Sequence, residues 1–238
     1  MVISSVTLRI SCAFALLTFA RPQEQQGEIN PIDGLALPLP AAPVSLEAVA
    51  VTGKHLPDGK ETRTVIRGKV YRDAAGRTRH ESTFTAGIPE QSMTIVSIVD
   101  MVAGFKFLLV AEMQSAYRFP CPKPEPYVRP GFAFLGGSKL MLEAGDKTHK
   151  NESLGQQIIE GIEFTGFRIT TALADKPSWK AVDEYWTSEE LGLIGKMLKS
   201  SPSSTTTVTI KNVVRREPDS GLFGVPRGYA IVDGGSLR

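Results

Sequence analysis

The sequence predicts a mainly β protein, an antiparallel up-and-down meander curled into a half-barrel or β-clam, with a two-sheet β-sandwich as the alternative. Three observations carry this. Apolar residues alternate with period two over 62–72, and a polar strand over 77–85 returns to make a hairpin. About ten strand-length segments follow one another with short Gly- and Asp-containing turns between them. No segment sustains the 3.6-residue apolar period of a helix, and the two helix candidates, Leu135–Ala144 and Asp219–Phe223, are short. With 238 residues and 42% apolar side chains the chain supports one core.

Residues 1–20 read as a signal peptide. Arg9 is the only charge between Val2 and Ala20, and the compact apolar run Ile10–Ala20 is about half of the roughly 20 residues a spanning helix needs. Thr18 and Ala20 are the small residues at the minus-three and minus-one positions of a cleavage site, so the cut is expected near Ala20. Export, to the periplasm or outside the cell, follows. Cys12 leaves with the signal and Cys121 remains alone, which excludes an intramolecular disulfide. Residues 21–44, ending in Leu-Pro-Leu-Pro-Ala-Ala-Pro, read as a proline-rich spacer, and 45–238 as a single β-rich domain.

Within that domain, Thr62–Arg72 places Ile66 and Val70 with Thr64 and Gly68 on one face, and Arg63, Arg67, Lys69 and Tyr71 on the other. Asp73-Ala-Ala-Gly76 has Asp first and Gly last, as a type I turn prefers, and Arg77–Thr85 returns as the second arm of a hairpin. Met93–Val99 and Phe105–Val110, separated by Asp-Met-Val-Ala-Gly, form a second hairpin, and Glu112–Phe119 a further strand. The proline-rich stretch to Pro130 and the polar stretch Glu143–Gly155 read as the longest irregular region. Strands resume over Ile158–Thr171, with bends at Gly161 and Gly166, then over Val182–Thr187, Leu193–Leu198 and Thr205–Val214.

Composition and motifs exclude more chemistry than they offer. The 27 Lys plus Arg against 25 Asp plus Glu give +2, or +1 once Arg9 leaves with the signal, so no nucleic-acid partner is expected. No nucleophile elbow, zinc-binding His pair, Cys-x-x-Cys or phosphate loop is present, so no catalytic residue, metal site or cofactor is assigned and a non-enzymatic role is expected. Two side-chain groups stand out. The aromatics Phe105, Phe107, Phe167 and Trp186 are candidates for the lining of an apolar ligand site. The basic set Arg63, Arg67, Lys69, Arg77 and Arg79 projects from one face of the first hairpin, as either a solvated face or a site for an anionic lipid surface.

Tyr71-Arg-Asp-Ala-Ala-Gly-Arg-Thr-Arg79, Leu154-Gly-Gln-Gln-Ile-Ile-Glu-Gly-Ile162, Glu184-Tyr-Trp-Thr-Ser-Glu-Glu-Leu191 and Glu217-Pro-Asp-Ser-Gly-Leu-Phe-Gly-Val-Pro-Arg-Gly-Tyr229 together resemble a family of uncharacterised exported bacterial proteins. The closing Leu-Phe-x-Val-Pro-x-Gly-Tyr after a Thr-rich strand is also similar, remotely, to the end of the LolA-like lipoprotein-carrier and lipoprotein-sorting folds. That second resemblance implies a curved sheet holding acyl chains. It gives the expected function, binding of a hydrophobic or amphipathic ligand, with a structural or protein-interaction module of the cell envelope as the alternative.

Overall fold

The computed structural model describes residues 30–37, 41–85, 92–121, 147–173, 176 and 178–234. The signal peptide with its cleavage site and the helix candidate Leu135–Ala144 lie outside them. Among the described residues twelve strands are present: β1 (Val44–His55), β2 (Glu61–Arg72), β3 (Thr78–Thr85), β4 (Ser92–Asp100), β5 (Phe105–Val110), β6 (Ser115–Pro120), β7 (Lys147–Ile159), β8 (Ile162–Leu173), β9 (Lys180–Ser188), β10 (Leu193–Ser201), β11 (Ser204–Val214) and β12 (Ala230–Asp233). They form one sheet, ordered β12-β6-β5-β4-β3-β2-β1-β11-β10-β9-β8-β7, so the fold is the open meander and not the two-sheet sandwich.

Two antiparallel meanders, β1–β6 and β7–β11, are fused where β1 pairs with β11. Among the described strands only β12 runs parallel to its neighbour, β6. The sheet curls without closing. The turn after β7 reaches across three strands, and Glu160 Oε2 accepts from the backbone of Asn212 on β11 at 2.8 Å.

Local chemistry sets the turns. Asp73 accepts from Gly76 N through its carbonyl (3.1 Å) and from Arg77 N through Oδ1 (2.8 Å), while Gly76 takes φ = 86°. Asp100 Oδ1 accepts from Val102 N and Ala103 N at 3.0 and 2.8 Å, and Gly104 (φ = 78°) closes the next hairpin. Glu160 and Gly161, both at positive φ, make a two-residue hairpin loop between β7 and β8.

Three elements depart from the sequence reading. The polar stretch 147–155, expected to be irregular, is most of the thirteen-residue edge strand β7. An edge strand carries polar side chains on both faces, which guards it against aggregation and erases the alternating apolar signal. The strand expected from Glu112 begins at Ser115, after a 3-10 turn over Ala111–Met113. Asp219–Phe223 is likewise 3-10, spanning Ser220–Phe223, with Asp219 Oδ1 accepting from Gly221 N at 2.7 Å.

The ladders divide the sheet into two faces. On the inner face Val44, Leu46, Ala48 and Ala50 of β1, Ile66 and Val70 of β2, Val208 and Ile210 of β11, Met197 of β10, Tyr185 of β9 and Ile169 of β8 are all buried. The cover of this core is residues 30–37, which the sequence reading assigns to the spacer: Ile32, Leu35 and Ala36 are buried as completely as any strand residue. This strap crosses from β3 to β10. Asn30 Nδ2 donates to Ser82 Oγ at 2.7 Å, and Ala36 bridges to Leu193 through Leu37 N to Gly192 O (3.1 Å) and Ile194 N to Leu35 O (2.9 Å). Beneath it Ser82, Gly68 and Ala48 stand side by side in register as a trench of small residues. Ile32 fills the trench so closely that a Cβ on Gly68 would lie 2.8 Å from its Cδ1.

Buried Arg72 clamps the strap to the sheet. Its guanidinium donates to the carbonyls of Leu37, Ala42, Leu191 and Gly192, and burial lowers its pKa. A smaller core, Val96, Ile98, Leu109 and Ala116, lies on the outer face of β4–β6, covered by Val225 and Tyr229.

Candidate functional site

Beyond the strap, the inner face opens into a cavity of about 220 Å³ lined by Asn151, Glu152 and Ser153 of β7 and Phe167, Arg168 and Ile169 of β8. Ser153 pairs with Phe167 and Asn151 with Ile169, so these four side chains share the inner face. Phe167 stacks on Tyr185 of β9, centroids 5.4 Å apart, which extends the apolar floor toward the buried core. A second cavity, about 30 Å³ beside Leu37 and Leu193, has room for water but not for a larger ligand.

The strands beside the larger cavity carry polar groups on the same face. Asp183, in register with Ile169 and Lys199, has its carboxyl pushed up by burial, with Lys199 pulling it back. The Tyr185 hydroxyl is pushed up, first by burial and then by Asp183, and stays protonated. His149 Nδ1 sits 3.0 Å from Thr171 Oγ1, while its buried Nε2 has no partner among the described residues. An apolar floor with a few polar groups at its rim suits the hydrocarbon part of an amphiphile. The volume exceeds the roughly 150 Å³ of an apolar cavity that takes benzene, but falls short of the ~300 Å³ at which drug-sized ligands begin.

The structure does not bring the four sequence-nominated aromatics together. Phe167 lines the cavity. Trp186, opposite Gly166, lies on the other face, where its ring packs so tightly that a Cβ on Gly166 would be 2.8 Å away. Phe105 and Phe107 share the outer face of β5, 6.5 Å apart: Arg118 lies 5.1 Å over Phe105, and Phe107 packs into the smaller core.

The basic set is partly consumed by the fold. The register puts Arg63, Arg67, Lys69 and Arg79 on the outer face. Arg79 bonds Glu81 at 2.7 Å and the Leu222 carbonyl at 3.0 Å, and Lys69 stands between Glu47 and Glu81 on the neighbouring strands. Arg77 bonds Asp73 at 2.6 Å and lies 5.0 Å over the Phe223 ring. Arg63 and Arg67 stay exposed.

Sequence reasoning missed the strap and the contribution of β7. A signal for the first existed in the cluster Ile32, Leu35, Ala36 and Leu37, whose apolar character the surrounding prolines masked. Among the described residues no cluster of His, Cys, Asp or Glu could hold a metal ion, and no helix is long and apolar enough to cross a membrane.

No family model matches the chain, and no curated protein matches it. Solved structures do. The MucA/MucB complex of Pseudomonas aeruginosa matches at 10% identity and a TM-score of 0.42 over 79% of this chain. This chain spans 58% of the length of the chain it matches there. The Mycobacterium tuberculosis lipoprotein LppX matches at 12% identity and 0.35, over 74% of this chain and 88% of its own. A LolA superfamily protein from Nitrosomonas europaea matches at 8% and 0.34, over 81% and 94%.

Proposed function

We propose that this is an exported, non-enzymatic binding protein that holds the hydrocarbon part of an amphipathic ligand against the inner face of its sheet, with Phe167 and Ile169 as the floor of the site. The observation that carries it is the cavity of about 220 Å³ over those residues, lined also by Asn151 and Ser153, with the Phe167 ring stacked on Tyr185 of the apolar core. Export rests on the signal-like first twenty residues. Native mass spectrometry of gently purified protein is expected to show a lipid-sized adduct, and a fluorescent fatty acid to bind. Asn151 is exposed on the edge strand, so Asn151→Trp fills the cavity without touching the core and is expected to weaken fatty-acid binding at least tenfold. A clean apo mass together with no uptake overturns this reading.

A second reading, an envelope protein-interaction module, draws on one feature. Among the described strands β7 ends the sheet order, and its thirteen residues give an extended peptide a long edge to pair with. Exposed Arg63 and Arg67 offer an anionic partner the remaining part of the basic face. Unchanged weak binding of Arg67→Ser to anionic liposomes would remove that partner.

A further inference from the structure

The cavity at Phe167 is too small for a whole lipid, and the adjoining apolar surface, from Val70 and Ala48 across Ile210 and Met197 to Tyr185, lies in the core that the strap closes. What holds the strap therefore decides how much of the inner face a ligand could reach. Its two ends are held differently. At β10 it is a short backbone bridge with apolar anchors, clamped by the Arg72 guanidinium on the Leu37 and Gly192 carbonyls. At β3 it is a polar contact, Asn30 to Ser82, beside a histidine in an unusual position.

His80 is two residues from Ser82 on the same face, between Val70 and Ser97 in register, and is only 4% exposed. Its Nε2 is buried and has no partner among the described residues. An imidazolium needs an acceptor at each nitrogen, and this one would lack it. The charge that acts on it is Lys106 of β5, which opposes a second positive charge and which also acts on Asp33 of the strap; the buried Arg72 is the cross-strand partner of Thr78, two residues from His80 on the same face. The other neighbours, Asn30, Ser82, Ser97 and Val70, are neutral.

We propose that residues 30–37 are an acid-released strap, closed while His80 is neutral and let go when His80 takes a proton from solvent, and that release opens the core beneath it to the ligand. The consequence for binding rests on the function proposed above; the release itself does not.

The sign follows from the shift. Burial first, then Lys106, lowers the His80 pKa from 6.5 to about 4, so the closed state binds fewer protons than the open one and loses ground as pH falls below 6.5. Those two values make opening about tenfold more favourable at pH 5.5, and about thirtyfold at pH 5, than at pH 7.5. Asp33 works the other way. Its carboxyl is raised by burial, so its protonation favours the closed strap, and the thirtyfold figure is a ceiling that Asp33→Asn should approach.

Amide exchange tests this on the chain from residue 21. Leu37 and Ile194 N–H report the strap bridge, and Met197 and Val208 report the underlying ladder. Between pH 7.5 and 5, after correction for intrinsic exchange, the strap amides are expected to lose ten- to thirtyfold in protection while the ladder amides hold. His80→Gln, which cannot take the proton, should flatten the change. Should that variant misfold, Asn30→Cys with Ser82→Cys in a Cys121→Ser background places a disulfide where the side chains now touch at 2.7 Å. Its oxidised form should keep protection at pH 5, and its reduced form should lose it.

Equal protection at both pH values, a loss shared by the ladder amides, or a loss that persists in the oxidised lock overturns the proposal. Fatty-acid uptake is scored separately. A strap that opens with no uptake at either pH overturns the binding function and leaves the strap standing; uptake with a strap that never opens does the reverse.

Discussion

The two faces of this sheet are covered by the two ends of the chain, and they are covered by different means. The strap 30–37 spends four apolar side chains, Ile32, Leu35, Ala36 and Leu37, all 7% exposed or less, on the inner face. The C-terminal segment 220–229 offers the outer face one buried ring, Phe223, with Val225 and Tyr229 partly buried. It is held largely by polar and cation–π contacts: Arg79 to the Leu222 carbonyl, Arg77 over Phe223, and Ala230 N to the Gln114 carbonyl at 2.9 Å. The inner cover is therefore coupled to the core, whereas the outer one is a local patch. A single sheet that buries opposite faces in its two halves needs both.

The largest way to break this contrast is Ile32→Asp, which puts a carboxylate into the trench over Gly68. It should cost more than about 4 kcal/mol in closed-strap stability, since a buried charge there has no partner. Leu37 and Ile194 amides should lose protection before β4 and β5 do. Arg72→Met should follow at about 3 kcal/mol in urea unfolding, because four carbonyls lose their donor. Phe223→Ala should cost about 2 kcal/mol, below the ~3–5 of a deep-core Phe because one side of the ring meets a surface guanidinium. Its effect should stay within β3–β6 in amide exchange; a uniform loss across β8–β11 would show the two halves to be one cooperative unit. Smallest is Arg215→Gln at the exposed Glu190 pair, expected to shift stability by less than about 0.5 kcal/mol.

Much of β2–β5 was legible because local rules suffice there. Ile66, Gly68 and Val70 alternate with Arg67 and Lys69, and the turns at Asp73 and Asp100 carry the acceptors and glycines their geometry needs. Where local rules are silent, the reading failed. β7 has no apolar alternation because it is an edge, and the strap has no period because it is not a regular element. The aromatic quartet fails for a related reason. Each of Phe105, Phe107, Phe167 and Trp186 falls where a strand takes an aromatic, but only the register of Gly166 with Trp186 and Phe167 with Tyr185 sends two neighbouring-strand rings to opposite faces.

By itself, then, the sequence determined the β class, most turns and the two faces of the central strands, because side-chain alternation and turn chemistry act over a few residues. The tertiary structure decided which distant strands meet, β1 with β11 and β12 with β6, and that a proline-flanked segment would become the lid of the core. Those contacts depend on burying surfaces separated by a hundred residues or more of chain, for instance the 120 between Arg72 and Gly192. No local pattern records such a distance, since its cost and its reward appear only when the whole sheet has closed around the strap.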